Sequence, residues 1–317
     1  MKKIVLIFLL PIILIAQSEP KFLDFHIHNG FSVENNKVIL SNFKYFKQRD
    51  VNTFSFPLPV DRSKTDDLYQ RIKIETEQLK LLSKQTGTFN IADSNELYIN
   101  PNQINVILSL EYFYGIFDGK LENVKNYKQL GVHSITIYNN EIDKLFDGNN
   151  LTLFGKQIIN EMNKHQILID ISHISDERKI KIINYSKSPV IVSHTNARKL
   201  ADLDYNLSDT VLKALKKYKG YVFVSFNENG LYKDENREGD AIDKFTDHID
   251  YLVKLLGIDY VGIGSDYQAD GKYIPQALNK VTSFNNISRE LLRRNYSKSD
   301  VRKIMFKNVV KAISDSF

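Results

Sequence analysis

Short apolar runs alternate with longer stretches of helical periodicity along most of the chain. The runs are rich in β-branched residues and too short for helices, so each predicts a buried parallel strand. The predicted strands are Phe22–Ile27, Val51–Phe56, Ile104–Leu110, Val132–Tyr138, Ile167–Ile171, Pro189–Val192, Tyr221–Phe226 and Tyr260–Gly264. Eight strands with intervening helices predict an α/β fold of the (β/α)8 TIM-barrel type, with extra helices at the C-terminal end.

Helix signals lie between these strands. The periodicity predicts helices from about Asp66 to Lys84 and from Phe154 to His165. Ser175 and Ser208 are placed as N-caps of two further helices, and Ser297-x-x-Asp300 has the spacing of a capping box. The least regular regions are predicted to be loops around the barrel mouth, namely 57–65, 88–103, 140–151 and 228–240.

The first 20 residues predict a secretory signal peptide. Lys2 and Lys3 precede the apolar run Ile4–Ala16, which is too short to span about 30 Å of hydrocarbon. An uncleaved N-terminal anchor is the alternative. Residues 21–317 are predicted to form a single domain, exported to the periplasm or secreted, with no stable membrane span after cleavage. Cysteine is absent, so the stability of the domain must come from its core.

The formal net charge is +5, and the charges are interspersed rather than gathered in a basic stripe. Proteins that bind nucleic acids or anionic lipids concentrate positive charge on one surface. The charge pattern therefore argues against a nucleic acid or an anionic lipid as a partner.

Residues that bind metals follow several of the predicted strands. In a barrel of this type, the carboxyl ends of the strands carry the active site. His26 and His28 share one face at the end of the first strand, because side chains alternate along a strand. The set expected at this rim comprises His26, His28, Glu111, His173, His194 and Asp266. The other histidines, His133, His165 and His248, are expected to be structural or solvated.

This set predicts a site for two divalent metal ions, with zinc as the expected ion. Four imidazoles and two carboxylates exceed the ligands of one tetrahedral zinc ion. Two ions about 3.5–4 Å apart can share a carboxylate and activate a bridging hydroxide. Glu111 is the candidate bridge, and Asp266 is the candidate group that moves the proton to the leaving amine. The alternative is that Glu111 or Asp266 only pairs with a Lys or Arg at the rim.

These motifs resemble the membrane dipeptidase family (renal dipeptidase, peptidase M19) of the amidohydrolase superfamily, over about residues 22–312. The most specific stretches are Leu153-Phe154-Gly155-Lys156, Glu161-Met162-Asn163, Asp170-Ile171-Ser172-His173, Ser193-His194-Thr195-Asn196-Ala197-Arg198 and Gly262-Ile263-Gly264-Ser265-Asp266. The resemblance implies a barrel that holds two zinc ions. It places His26 and His28 on one ion, His173 and His194 on the other, Glu111 between them and Asp266 at the strand-eight acid position.

Three positions depart from the family pattern. The family has aspartate where this chain has His28, which is expected to lower the pKa of bound water or to loosen the second metal. The family histidine that polarises the scissile carbonyl is here Asn139, which can donate a hydrogen bond but carries no charge. The family arginine that binds the substrate carboxylate is here Tyr205, and a phenol does not replace a bidentate arginine. Arg198 is either a substitute cation or an ordinary surface arginine.

The sequence and the resemblance thus predict a zinc-dependent, dipeptidase-like hydrolase that cleaves an amide bond of a dipeptide or similar small-molecule substrate through a metal-bridging hydroxide. Asn139 and Tyr205 are expected at its substrate site. Two alternatives stay open because of the departures: a metallohydrolase of the same superfamily that acts on a lactone, blocked peptide or cyclic amide, and a non-catalytic metal-binding barrel. Family members are often dimers, so a homodimer is an open alternative to a monomer.

Overall fold

The computed structural model describes residues 22–28, 36–58, 67–92, 99–100, 102–111, 115–138, 140–233, 240–268 and 271–316. The predicted signal peptide and Asn139 lie outside the described residues. In the described part of the chain, every helix is too short or too polar to cross a membrane.

The strands of the described residues are β1 (Phe22–Asp24), β2 (Ile27–His28), β3 (Val51–Pro57), β4 (Phe89–Ile91), β5 (Ile104–Leu110), β6 (Val132–Thr136), β7 (Phe146–Asp147), β8 (Asn150–Leu151), β9 (Leu168–Asp170), β10 (Ile191–Thr195), β11 (Tyr221–Val224), β12 (Val261–Ile263) and β13 (Tyr267–Gln268). A parallel sheet has the order β1-β3-β5-β6-β9-β10-β11-β12. Its two edges meet where Phe25 N donates to Ile263 O and Asp266 N donates to His26 O, each at 2.9 Å. The predicted eight-stranded barrel is confirmed.

The helices of the described residues surround this sheet. They are α1 (Asn36–Lys47), α2 (Leu68–Thr86), α3 (Glu122–Leu130), α4 (Leu153–Lys164), α5 (Asp176–Tyr185), α6 (Asp209–Lys217), α7 (Glu228–Leu231), α8 (Ala241–Leu256), α9 (Ser283–Arg293), α10 (Lys298–Arg302) and α11 (Asn308–Ser314). A 3-10 turn at Ile258–Tyr260 precedes β12, and a π-helical turn at Lys303–Lys307 joins α10 to α11.

The predicted helix caps form as expected. Ser175 Oγ accepts a hydrogen bond from Arg178 N at 3.5 Å, and Ser208 Oγ accepts one from Val211 N at 3.4 Å. Ser297 and Asp300 complete a reciprocal capping box at the start of α10. Each cap satisfies backbone N–H groups that have no partner within the first helical turn.

Three regions predicted as loops contain regular structure. Strand β4 lies within 88–103 and pairs with Ile104–Val106 of β5, while β6 pairs with the other half of β5, from Leu108. The antiparallel strands β7 and β8 lie within 140–151, and α7 lies within 228–240. These loop predictions were wrong because elements of two to four residues are too short to show a hydrophobic period.

The amino-terminal end of the barrel is closed by apolar side chains. They are Leu23, Phe25, Ile107, Leu168, Ile191, Tyr221 and Phe223 from the barrel, with Phe306, Val309, Ala312 and Ile313 from the C-terminal helices. The rings of Phe25 and Phe223 stack with centroids 4.6 Å apart. Tyr221 donates to the Asp315 carboxylate, and Lys311 Nζ donates to the Tyr221 hydroxyl at 2.6 Å. Helix α11 therefore covers this end of the barrel.

Candidate metal centre

The six residues expected at the rim converge at the carboxyl ends of the strands. His26 separates β1 from β2, and His28 ends β2. Glu111 directly follows β5 and Asp266 follows β12, whereas His173 follows β9 and His194 lies within β10. The first predicted strand is interrupted at Phe25 and His26, where the sheet closes on the strand-eight side. The seam between the first and last strands thus runs through the site.

Glu111 lies at the centre of this cluster. Its Oε2 atom is 3.0 Å from His26 Nε2 and 3.3 Å from His28 Nε2. Its Oε1 atom is 2.7 Å from His173 Nε2 and 3.8 Å from His194 Nε2. Each carboxylate oxygen therefore faces a different pair of histidines, which is the arrangement that a bridging carboxylate requires.

The nitrogen atoms within each pair are close to one another. His26 Nε2 and His28 Nε2 are 3.0 Å apart, and His173 Nε2 and His194 Nε2 are 2.8 Å apart. The ligand atoms lie within 4.8 Å of one another in three groups: His26, His194 and Asp266; His26, His28 and Glu111; and Glu111, His173 and His194. Glu111 Oε2 is buried and accepts no hydrogen bond. Imidazole and carboxylate donors with an unsatisfied buried oxygen fit a divalent transition metal.

Both carboxylates of the site are held ionised by the neighbouring imidazoles. Burial favours the neutral acid of Glu111, but the electrostatic interactions with the surrounding imidazoles and the hydrogen bond from His173 outweigh it and hold the pKa of Glu111 well below its ordinary value. Burial also opposes the charge of Asp266, and the hydrogen bond from His28 together with the histidine charges lowers the pKa of Asp266 to about 2. Both carboxylates are therefore ionised at neutral pH, and ionised carboxylates favour a bound cation.

The histidines of the site differ in their protonation. Burial disfavours the His28 cation, but the hydrogen bond to Asp266 and the charge of Glu111 prevail and raise the pKa of His28 to about 9. Burial and the adjacent His26 lower the pKa of His194 to about 3, so His194 is neutral. A metal ion must displace the proton of His28, whereas the imidazole of His194 is already in its ligating form.

The backbone around Asp266 is tightly constrained. Asp24 Oδ1 accepts hydrogen bonds from Ser265 N at 2.8 Å and His26 N at 3.2 Å, which join the first and last strands. A Cβ atom at Gly264 would lie 1.9 Å from Ser193 O, so this close approach requires glycine. Asp266 itself has a φ of 57°, in the left-handed region that aspartate tolerates better than most residues. These contacts direct the Asp266 carboxylate towards His28.

Two neighbours of the site were not identified from the sequence. The Tyr138 hydroxyl donates to Glu111 Oε1 at 3.2 Å, and its ring stacks on His173 with centroids 5.2 Å apart. Asn227 Nδ2 donates to Asp266 Oδ2 at 3.2 Å. Tyr138 is the last residue of one predicted strand and Asn227 follows another, so their position at strand ends was the available signal. The contacts of Glu111 and Asp266 are thus with His, Tyr and Asn, rather than with the Lys or Arg of the alternative interpretation.

Tyr205 lies in the segment between β10 and α6, with 39% of its surface exposed. A Cβ atom at Gly230 would lie 3.0 Å from the Tyr205 hydroxyl and 2.6 Å from Asn196 Nδ2, so α7 packs closely against this segment. Burial and the charge of Asp266 raise the pKa of Tyr205. The phenol is therefore neutral and lies within the electrostatic influence of the site. Its role in substrate binding, like that of Asn139, stays a prediction.

Arg198 is engaged by its own surroundings. Its guanidinium donates to both oxygens of Asp176, at 3.1 Å and 3.4 Å. Its Nε atom also donates to Leu203 O at 3.1 Å and Asn206 O at 3.0 Å. Arg198 therefore holds the segment that carries Tyr205, which is neither of the two roles considered from the sequence.

The remaining histidines lie away from the cluster. His248 Nδ1 accepts from Ala197 N at 3.0 Å, and its Nε2 atom is 3.1 Å from Leu231 O. His165 Nε2 lies 3.2 Å from a carboxylate oxygen of Glu161, and His133 is buried in β6. These contacts agree with structural roles.

Comparison with known families gives an extensive match. A model of the membrane dipeptidase family, peptidase family M19, matches residues 22–316. Dipeptidase 3 of Macaca fascicularis is 25% identical over 259 residues, which cover 76% of this chain and 51% of the relative. Dipeptidase aclJ of Aspergillus oryzae is 26% identical over 269 residues, which cover 78% of this chain and 62% of the relative. The chain thus spans about half the length of the first of these relatives.

Solved structures share the fold. An amidohydrolase from Pseudomonas aeruginosa has a TM-score of 0.78 at 22% identity, covering 93% of this chain and 96% of that chain. A metallo peptidase from Rhodobacter sphaeroides, liganded with a phosphinate mimic of the dipeptide L-Ala-D-Ala, has a TM-score of 0.74 at 18% identity, covering 93% of this chain and 100% of that chain. At these identities the likeness establishes the barrel fold.

Proposed function

The chain belongs to the membrane dipeptidase family, peptidase family M19, and from this premise we propose that it is a metal-dependent hydrolase of dipeptides or similar small amides. The observation that carries the proposal is Glu111, whose two oxygens face separate histidine pairs. The named relatives are dipeptidases, and one structural neighbour holds a dipeptide mimic. Both facts support an amide substrate of this size.

The proposed cofactor is a pair of divalent metal ions, with zinc as the proposed metal. His26 and His28 would hold one ion, His173 and His194 the other, and Glu111 both. When bound, such ions lower the pKa of a shared water and polarise the scissile carbonyl. The buried and unsatisfied Glu111 Oε2 supports this assignment, because a metal ion would supply the partner it lacks.

Asp266 is the proposed proton carrier. Asp266 is ionised at neutral pH, and its Oδ1 atom faces the metal centre, 3.3 Å from His28 Nε2. Asn227 holds the other oxygen, Oδ2, so the carboxylate cannot turn freely. Asp266 would accept a proton from the attacking water and deliver it to the leaving amine, a transfer that positioned carboxylates perform.

Tyr138 is proposed to hold Glu111 in place. Burial and the charge of Glu111 raise the pKa of Tyr138, so the phenol keeps its proton and acts as a hydrogen-bond donor. The stacking on His173 fixes the ring. A neutral donor at this position orients the bridging carboxylate without adding charge to the site.

The test combines metal analysis with a substrate survey. Purified protein supplied with zinc would be analysed for bound metal and offered a library of L,L and L,D dipeptides. About two zinc ions per chain with turnover would support the proposal. Two bound zinc ions without dipeptide turnover would indicate a substrate of another class. One bound ion or none would reject the two-metal site.

A second candidate substrate lacks a free carboxylate, as in a lactone, a blocked peptide or a cyclic amide. Two observations favour it: Tyr205 stands where the resemblance predicts an arginine, and Arg198 is already bound to Asp176. Comparing a dipeptide with its C-terminal amide separates the candidates. A strong preference for the free acid would reject the second.

We also propose that the protein is exported to the periplasm or secreted, because its first 20 residues have the pattern of a signal peptide. Cell fractionation with N-terminal sequencing of the recovered protein would test cleavage near Ala16. Full-length precursor found only in the cytoplasm would contradict export. Light scattering of the purified protein would decide between a monomer and a homodimer.

A further inference from the structure

Asp170 is a buried carboxylate beside the metal centre that the proposed reaction does not use. It ends β9 with 2% of its surface exposed. Its Oδ1 atom accepts from Ser172 N at 3.1 Å, Ser172 Oγ at 2.6 Å and Ser193 N at 3.1 Å. Its Oδ2 atom accepts from Thr136 Oγ at 2.7 Å and Ser193 Oγ at 2.6 Å. All of these donors are neutral, so the network does not form an ion pair.

The network reaches a histidine of the centre through one hydroxyl. Ser193 Oγ lies 2.8 Å from His194 Nδ1, as well as 2.6 Å from Asp170 Oδ2. A serine hydroxyl has one proton and two acceptor positions. Ser193 Oγ donates that one proton to Asp170 Oδ2.

The direction of the Ser193–Asp170 hydrogen bond determines the tautomer of His194. Because Ser193 has no second proton to give, the contact with His194 requires the proton on Nδ1 of the imidazole. The contact of Ser193 Oγ with Ser172 Oγ at 3.0 Å does not change this result. Each serine donates its single proton to Asp170 at the shorter distance of 2.6 Å, so neither proton reaches His194. The Nε2 atom of His194 then presents its lone pair towards His173 Nε2, 2.8 Å away, and into the site.

We propose that Asp170 is a positioning residue that acts through Ser193 to fix the tautomer and orientation of His194 for metal binding. The inference rests on the proposed function, since it takes His194 as a metal ligand. The His194 ring stacks on His26 with centroids 4.0 Å apart, so its orientation also constrains the other histidine pair. Partners of this kind on ligating histidines typically change metal affinity by about 10–100-fold.

Asp24 makes the same kind of backbone contacts at the end of the first strand. Its Oδ1 atom accepts from the backbone N–H two residues later, His26, and from the backbone of Ser265 on the adjacent strand. Asp170 Oδ1 makes the equivalent contacts with Ser172 N and Ser193 N. The Asp170 network extends further, because the Ser193 hydroxyl continues it to an imidazole nitrogen.

Ser172 and Ser193 provide a matched pair of variants for the test. Each hydroxyl donates to Asp170 at 2.6 Å, but Ser193 is the one that contacts His194. Zinc affinity of the full chain would be measured by competition with a chromogenic chelator. Ser193→Ala should weaken zinc binding by about 10–100-fold, Ser172→Ala by less than about threefold, and Ser193→Thr should retain wild-type affinity.

The tautomer itself can be observed in metal-free protein labelled with 15N-histidine. Long-range 1H–15N spectra distinguish the two ring nitrogens, and His194→Ala identifies the signals. The wild type should carry its proton on Nδ1. In Asp170→Asn, the amide would donate to Ser193 Oγ, which frees the serine proton for Nδ1 and moves the imidazole proton to Nε2.

The results separate this inference from the proposed function. A wild-type protein that binds no zinc would reject the proposed function. A wild type that binds zinc, with equal affinities for Ser193→Ala and Ser172→Ala, would reject the role of Asp170 alone. A wild-type His194 with its proton on Nε2 would do the same. If Asp170→Asn does not fold, the zinc affinities of Ser193→Ala and Ser172→Ala and the wild-type 1H–15N spectrum still test the role of Asp170.

Discussion

The two ends of the barrel are built from the same strands but carry different kinds of side chain. In β10, Ile191 belongs to the apolar cluster at the amino-terminal end, and His194 belongs to the metal centre three residues later. In β5, Ile107 packs in that cluster, and Glu111 follows the strand. One end is closed by α11 with aromatic and aliphatic contacts, whereas the other gathers imidazoles and carboxylates.

The groups that stabilise the fold and the groups proposed for the chemistry therefore lie at opposite ends of the strands. Apolar burial at the amino-terminal end stabilises the fold by removing surface from water. At the carboxyl end, the carboxylates of Glu111 and Asp266 lose hydration. The nearby imidazoles, the donors Tyr138 and Asn227 and a bound cation would compensate for that loss. Changes at one end should therefore affect stability, and changes at the other should affect metal binding and turnover.

The largest effect is expected for Glu111→Gln. The amide removes the charge that faces both histidine pairs, so zinc content should fall and turnover should decrease on the order of 10³-fold. Turnover and metal analysis of the purified variant measure this. Glu122→Gln, an exposed residue in the first turn of α3, is the matched control and should behave as wild type. Wild-type zinc content and activity in Glu111→Gln would contradict the central role of Glu111.

Asp266→Asn and a control variant test the two ends of the same strand, β12. In Asp266→Asn, zinc should remain bound, but kcat should fall by about 10²-fold because an amide cannot accept the proton. Asp259→Asn is the control at the opposite end of β12, where the carboxylate contacts Lys303 at 2.7 Å. It should leave kcat unchanged. Full activity in Asp266→Asn would remove this residue from the mechanism.

Phe223→Ala tests the amino-terminal end. Loss of a fully buried ring stacked on Phe25 should lower the free energy of unfolding by about 3–5 kcal/mol. The kcat of the folded, zinc-loaded fraction should stay within about twofold of wild type, because Phe223 belongs to the apolar cluster at the amino-terminal end and offers no group to the metal centre. Urea unfolding and steady-state kinetics measure the two quantities. A loss of kcat without a loss of stability would contradict the separation of the two ends.

Tyr138→Phe should have the smallest effect. It removes one hydrogen bond to Glu111 and keeps the stacking on His173, so kcat should fall about tenfold while stability changes by about 1 kcal/mol or less. Tyr127→Phe is a matched control, because its hydroxyl donates to Ile116 O at 2.6 Å away from the metal centre. The Tyr127 variant should lose stability but no kcat. Equal kinetics in both variants would show that Tyr138 does not act on the bridging carboxylate.

Much of the site could be predicted because strand ends are visible in the sequence. Short apolar runs identify the strands, and parallel strands bring their carboxyl ends to one rim, so the residues after each run must be near one another. This placed His26, His28, Glu111, His173, His194 and Asp266 together, and the structure places them within hydrogen-bonding distance of their neighbours. Strand β4 and the β7–β8 pair were missed because two or three residues show no period.

By itself, the sequence determined the barrel, the rim that carries the ionisable groups and the family to which the chain belongs. Only the tertiary structure decided how these groups pair: which oxygen of Glu111 faces which histidines, that Tyr138 donates to Glu111, and that Asp176 binds Arg198. The Asp170–Ser193–His194 network also appears only in three dimensions. The physical reason is that hydrophobic periodicity is a local property of the chain. Hydrogen bonds are instead determined by distances of a few ångströms between segments that are remote in sequence.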